Sequence, residues 1–197
     1  DTDSHHVLPV LDFDRTRLDS VELYPFKKAV EAGVGGVMIG HLHVSELDEK
    51  PASISSEVIT SLLRKELHFS GLVFTDALEM KGISKNADDL CVQALMAGND
   101  MLLVPRNLKK SLESVMRAVK SGKLTEDVIT EKCRKVLTYK YALGLSHKQQ
   151  VAAEGIENRI CSAKSDSLMI ALEKAAVTVL KDSVDVLPLD LSLSENI

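Results

Sequence analysis

The chain has 197 residues (21.5 kDa), 45% hydrophobic and 27% charged, with a mean hydropathy of +0.02, a globular composition. Its 24 Lys and Arg against 29 Asp and Glu give a net charge of −5 and a pI near 5.7, which argues against nucleic acid as a partner because no broad positive field is available. No stretch approaches the roughly 18 consecutive apolar residues of a membrane helix.

The chain opens at Asp1 without Met, inside the polar run DTDSHHVLP, as a cut or mature fragment would. Val7–Leu11 reads as a short strand, followed by a helix around Tyr24–Ala32 that ends at Gly33. Residues 36–40, GVMIG, read as a strand ending near His41. Residues 54–67 place Ile54, Val58, Ile59, Leu62, Leu63 and Leu67 on one helical face, with Ser53, Ser55 or Ser56 as N-cap. Residues 71–75, GLVFT, are the next apolar strand, and Asp76 follows it. A helix over 87–97 stops at Gly98, and 101–104, MLLV, is a third buried strand ending at Pro105. Residues 108–121 gather Leu108, Leu112, Val115, Met116 and Val119 on one face and stop at Gly122. Thr125 caps a longer helix to Leu143, with Val128, Ile129, Val136 and Leu137 as its apolar set. After Leu145 the polar stretch HKQQVAAEG reads as a connection, Ser165–Ala176 as a helix, and the rest as an apolar run broken by Pro188.

Apolar runs starting at 36, 71 and 101 with helices between them demand parallel strands and right-handed crossovers. With the first strand, about four βα units precede residue 145, half the number in a closed (β/α)8 barrel. No Trp and 4% aromatics imply an aliphatic core, as α/β layers have. The count fits a small doubly wound domain or half of a barrel, and an open sheet leaves raw edges through which two copies could associate. Cys91, Cys133 and Cys161 are odd in number and far apart, with no metal-type spacing, and read as single buried thiols.

Four groups could carry chemistry. Asp76 stands at the end of a buried parallel strand, where it could attack an electrophile; with Glu79 it also has the spacing of a helix cap. Asp3 and His5, two apart, could form a carboxylate–imidazole proton relay or belong to a frayed terminus. His41 and His43 follow the GVMIG strand and could ligate a metal or line a pocket. Gly98-Asn99-Asp100 reads as a turn.

Taken together, DTDSHHVLP, GVMIGHLHV, PASISSEVITSLLRKELHFSGLVFTDALEMKGI, ALMAGNDMLLVP and VKSGKLTEDVITEKCRKVLTYKYALGL resemble, in order and spacing, family 3 glycoside hydrolases of the bacterial β-N-acetylglucosaminidase branch. ALEKAAVTVLKDSVDVLPL resembles the start of the second domain of two-domain members. The resemblance implies an α/β fold, a partial (β/α)8 TIM-like barrel of which residues 1–145 are the second half, with 146–197 as linker and beginning of a second α/β domain. It implies Asp76 as nucleophile, His5 as acid/base assisted by Asp3, and His41 and Met80 at the substrate. It implies β-N-acetylglucosaminides or related β-hexosides as substrate, no cofactor and no metal, and leans toward a bacterial protein exported to the periplasm or cell surface, with the cytoplasm as the alternative. The family's Lys-His and Gly-His-Gly loop, and its sugar-gripping Asp and Arg, are absent from this chain. Two other readings stand beside it: a metal-dependent barrel hydrolase using His41, His43, His5 or His6 with Asp76, and a non-catalytic fragment or sugar-binding module.

Overall fold

A parallel ladder joins the apolar runs that the sequence spaces thirty to thirty-five residues apart. The structure, a computed structural model, describes residues 3, 6–83, 87–147 and 152–181. The chain divides into two units, Asp1–His147 and Lys148–Ile197.

In the first unit, β1 (Val10–Leu11) precedes α1 (Arg15–Arg17), capped by the Asp14 side chain, a π-type stretch Leu18–Glu22, and α2 (Tyr24–Glu31). β2 (Gly36–Ile39) and β3 (His43–Val44) follow, then a 3-10 turn Ala52–Ile54 and a π-helix Glu57–Glu66. β4 (Leu72–Ala77), α3 (Ala87–Ala97), β5 (Met101–Leu103), α4 (Leu108–Lys120) and α5 (Glu126–Ala142) complete it. The main sheet has the order β2-β4-β5, all parallel, with Gly36 opposite Leu72 and Phe74 opposite Met101. This is a partial (β/α)8-type barrel.

Three expectations change. Val7–Leu11 yields only a two-residue strand, and it pairs with β3 instead of joining the main sheet. Pro9 has no N–H to give a ladder, and its carbonyl accepts from His43 N at 2.8 Å. Helix α4 turns the other way from its leucines. Ser111, Ser114 and Ala118 are buried, while Leu108, Leu112 and Met116 are exposed. Small residues let α4 lie close to α3, with Val115 and Val119 filling in at the margin. Of the three thiols only Cys91 is buried; Cys133 and Cys161 are exposed.

Alternation along a strand sends neighbouring side chains to opposite faces. Val37, Ile39 and Val73 pack with Ile59, Leu63 and Phe69 against the helices. Met38 and its partner Phe74 lie on the other face, where Met38 is 54% exposed and Phe74 leans over Gly36. The sheet is thus covered on its helical side and open on the face a barrel turns inward. A second core (Ile54, Leu78, Ile83, Leu90, Cys91, Ala94) lies beneath the loop after β4.

The helix over 57–66 and the turn before β5 meet at Gly98, whose φ is +119°. A Cβ there would stand 2.9 Å from Thr60 Oγ1 and 3.0 Å from Ile59 Cγ2. Gly98→Ala is expected to lower unfolding free energy by about 1–3 kcal/mol, measured by urea denaturation.

The second unit is described over 152–181. It holds α6 (Ile156–Ile160) and α7 (Ala163–Ala176), the latter capped by Ser162, whose Oγ accepts from Ser165 N. Leu168, Met169, Ile170 and Leu172 on α7 are exposed. The Pro188 segment lies outside the described residues.

Candidate active site

Asp76 is the penultimate residue of β4, at the end of the parallel strands where α/β folds of this kind build their sites. The ladder slips there. From Phe74 to Ala77 three steps of β4 match two of β5, from Met101 to Leu103. Such a bulge bends the strand and re-aims its side chains. Thr75, fully buried, closes the gap by accepting from Leu103 N at 3.0 Å through Oγ1. Asp76 Oδ1 accepts from Ala77 N at 2.7 Å, and among the described residues no cation pairs with this carboxylate. The helix-cap alternative is removed. Residues 77–80 form a turn, with Met80 N donating to Ala77 O at 3.0 Å, and Asp76 lies inside the strand.

His41 lies beside this strand end, only 1% exposed. Its Nε2 is 3.0 Å from Ala77 O and its Nδ1 is 2.7 Å from Ser53 Oγ. A carbonyl can only accept, so Nε2 carries the proton and Nδ1 accepts from the Ser53 hydroxyl. Burial pushes the imidazole pKa below its ordinary 6.5, opposed by the bond to Ala77 and the Asp76 charge. Ser53 is tied in turn: its carbonyl accepts from Asn99 Nδ2 at 2.9 Å, and the same amide reaches Ala94 O at 2.8 Å.

That depressed pKa fixes a sign. The folded state binds fewer protons than the unfolded one, so the His41 contribution to stability is whole above about pH 6.5 and fades as pH falls below it. His41→Gln has no such titration. Urea unfolding of the two proteins between pH 7.5 and 5 is expected to show a shallower acid loss in the variant.

Of the other expected site residues, Asp3 and Met80 are among those described. Asp3 O accepts from the backbone N of His6 and of Val7, each at 3.1 Å, and Asp3 Oδ2 stands 3.8 Å from His6 Nε2. His5 lies outside the described residues. Met80 is 9% exposed and reaches the site through its backbone. His43 Nε2 is buried without a hydrogen-bond partner among the described residues. No group of three or more His, Cys, Asp or Glu among the described residues could hold a metal ion. Ser53, Thr75 and Asn99 carry the site's scaffolding; in the sequence Ser53 looks like one of several N-cap serines and Asn99 like a turn residue, and no spacing marks them out.

A model of the glycosyl hydrolase family 3 N-terminal domain matches residues 1–139. The chain belongs to glycoside hydrolase family 3. Beta-hexosaminidase A of Pseudoalteromonas piscicida is 29% identical over 95% of this chain and 35% of that protein. The structure of a family 3 beta-N-acetylglucosaminidase from Paenibacillus sp. str. FPU-7 superposes with a TM-score of 0.73 and 38% identity, over 78% of this chain and 30% of that one. Beta-glucoside phosphorylase BglX shares the fold, with a TM-score of 0.82 at 23% identity over 95% of this chain and 37% of that one. The chain thus spans about a third of the length of these relatives. In a family 3 chain, the bulged strand end at Asp76 and the His41 clasp beside it lie at the strand ends of a partial barrel.

Proposed function

We propose that the whole protein is a retaining β-N-acetylglucosaminidase in which Asp76 is the nucleophile and His5, oriented by Asp3, is the acid/base. The observation that carries this reading is the Asp76 carboxylate, presented by a bulge at the strand end with one oxygen held by Ala77 N. The names of the relatives, a beta-hexosaminidase and a beta-N-acetylglucosaminidase, support the sugar class. The carboxylate attacks the anomeric carbon as the bond to the leaving oxygen breaks, and that oxygen takes the His5 proton. Water then attacks the glycosyl ester, gives its proton to His5 and releases Asp76. Residues 146–197 are the linker and the opening of a following domain in this reading.

The decisive experiment soaks the whole protein with a fluorinated, slowly turned-over β-N-acetylglucosaminide and sequences the peptides by mass spectrometry. An adduct on Asp76 is expected; an adduct elsewhere, or none, overturns the reading. The role of His5 has its own signature. His5→Ala is expected to lower kcat/KM about 10²–10³-fold for alkyl glycosides and less than about 10-fold for nitrophenyl glycosides, whose leaving oxygen needs little protonation. Equal losses on both would remove His5 from the acid role.

A further inference from the structure

Ala77 follows Asp76, and both of its peptide groups are held. Its N–H goes to Asp76 Oδ1 at 2.7 Å. Its carbonyl accepts from Met80 N and from His41 Nε2, each at 3.0 Å. Strand β2 ends at Ile39, whose ladder partner is Thr75, so no backbone from β2 pairs with β4 beyond that point. The imidazole of His41 reaches the β4 carbonyl where that ladder has stopped. It is a rigid group anchored at its far side by Ser53 Oγ at 2.7 Å. Through Asn99, Ser53 is joined to Ala94 at the end of α3. With both ring nitrogens engaged and the ring buried, His41 has no polar atom left over for a sugar.

A nucleophile gains from being held within a near-attack distance, and a misplacement of about 1 Å can lower the rate on the order of 10²-fold. The Asp76 carboxylate takes its direction from the Ala77 N–H, in the Asp76–Ala77 peptide. The Ala77 carbonyl, in the next peptide, is held by His41 Nε2 and Met80 N, and the N–H of that next peptide, on Leu78, donates to Leu103 O at 3.0 Å. We propose that His41, locked by Ser53 as the Nε2–H tautomer, is a positioning residue that holds Ala77 by its carbonyl and so, through the N–H of that same residue, aims the Asp76 carboxylate at the anomeric carbon. This rests on Asp76 being the nucleophile.

The test follows labelling of Asp76 by the fluorinated β-N-acetylglucosaminide in the whole protein, at several probe concentrations, to separate the limiting rate from half-saturation. His41→Phe removes both bonds and is expected to lower the limiting rate about 10²-fold with half-saturation within about 3-fold. His41→Gln has an amide that can donate to Ala77 O and accept from Ser53, and is expected to recover at least about 10-fold of that loss. Ser53→Ala is expected to slow labelling about 5–10-fold, and nitrogen-15 spectra of its imidazole to show mixed tautomers where the native protein shows Nε2–H alone. If native protein labels at Asp76 while His41→Phe and Ser53→Ala label at its limiting rate, or differ only in half-saturation, the inference is overturned and the nucleophile stands. If native protein gives no label at Asp76, the nucleophile reading fails and takes the inference with it. Should His41→Phe not fold, Ser53→Ala decides: labelling at the native limiting rate overturns the inference.

Discussion

Asp76→Ala in the whole protein is expected to lose about 10³-fold or more in kcat/KM on nitrophenyl β-N-acetylglucosaminide. The substitution removes the group that forms the glycosyl ester and leaves a carboxylate-sized gap at the strand end. Azide fits such a gap and can attack the anomeric carbon from the vacated side while nitrophenolate leaves. The product is then the α-glycosyl azide, of inverted configuration, because one displacement has replaced two. Asp76→Asn is expected to show the same loss without azide rescue, since the amide fills the gap and is a poor nucleophile. Both variants keep an acceptor or a small side chain beside Ala77, so folding is expected to survive, with circular dichroism as the control. Near-native turnover by Asp76→Ala would sink the nucleophile.

Much of this site could be read in the residues because its parts obey local rules. GVMIG, GLVFT and MLLV are apolar, β-branched and bounded by Gly or Pro, and all three became parallel strands. Thr125 caps α5 as expected, accepting from Val128 N at 3.3 Å. Family membership followed from ordered motifs across most of the chain. The misreadings were tertiary. Period alone put Leu108, Leu112 and Met116 of α4 in the core, yet helix α3 accepts the narrow Ser111–Ser114–Ala118 edge. Gly98-Asn99-Asp100 is the turn its residues suggest, but nothing local shows that Asn99 and Asp100 also anchor buried networks to residues more than thirty positions away. The bulge at Asp76 has no local signature either, since it arises from the register with β5. Period and capping are encoded within a few residues, whereas helix facing, register and buried pairing depend on what arrives from elsewhere in the chain.

The second large effect is expected at the opposite end of the sheet. Asp100 Oδ2, on a side chain 6% exposed, accepts from Arg64 Nη2 at 2.6 Å, Lys135 Nζ at 3.0 Å and Val73 N at 2.9 Å. Arg64 also bonds the carbonyls of Phe69 and Gly71, and Lys135 that of Gly71 at 2.7 Å. One carboxylate thus ties the π-helix and α5 to the first residues of β4 and β5. Burial holds Lys135 below its ordinary pKa even though Asp100 works against it, and burial also depresses Lys132 nearby. Asp100→Ala leaves these cations half-buried without their counter-charge and Val73 N without its acceptor. The expected loss is about 3–5 kcal/mol, or on the order of 10 °C in Tm, measured by urea and thermal unfolding. Adding Lys135→Met to Asp100→Ala is expected to restore part of that stability, because it removes one stranded charge and keeps the apolar stem. A double variant as unstable as the single would mean the loss lies in the Arg64 and Val73 contacts and not in Lys135. The knot sits at the strand starts and Asp76 at a strand end, so Asp100→Ala below its melting temperature is expected to keep the native KM and lose only folded protein.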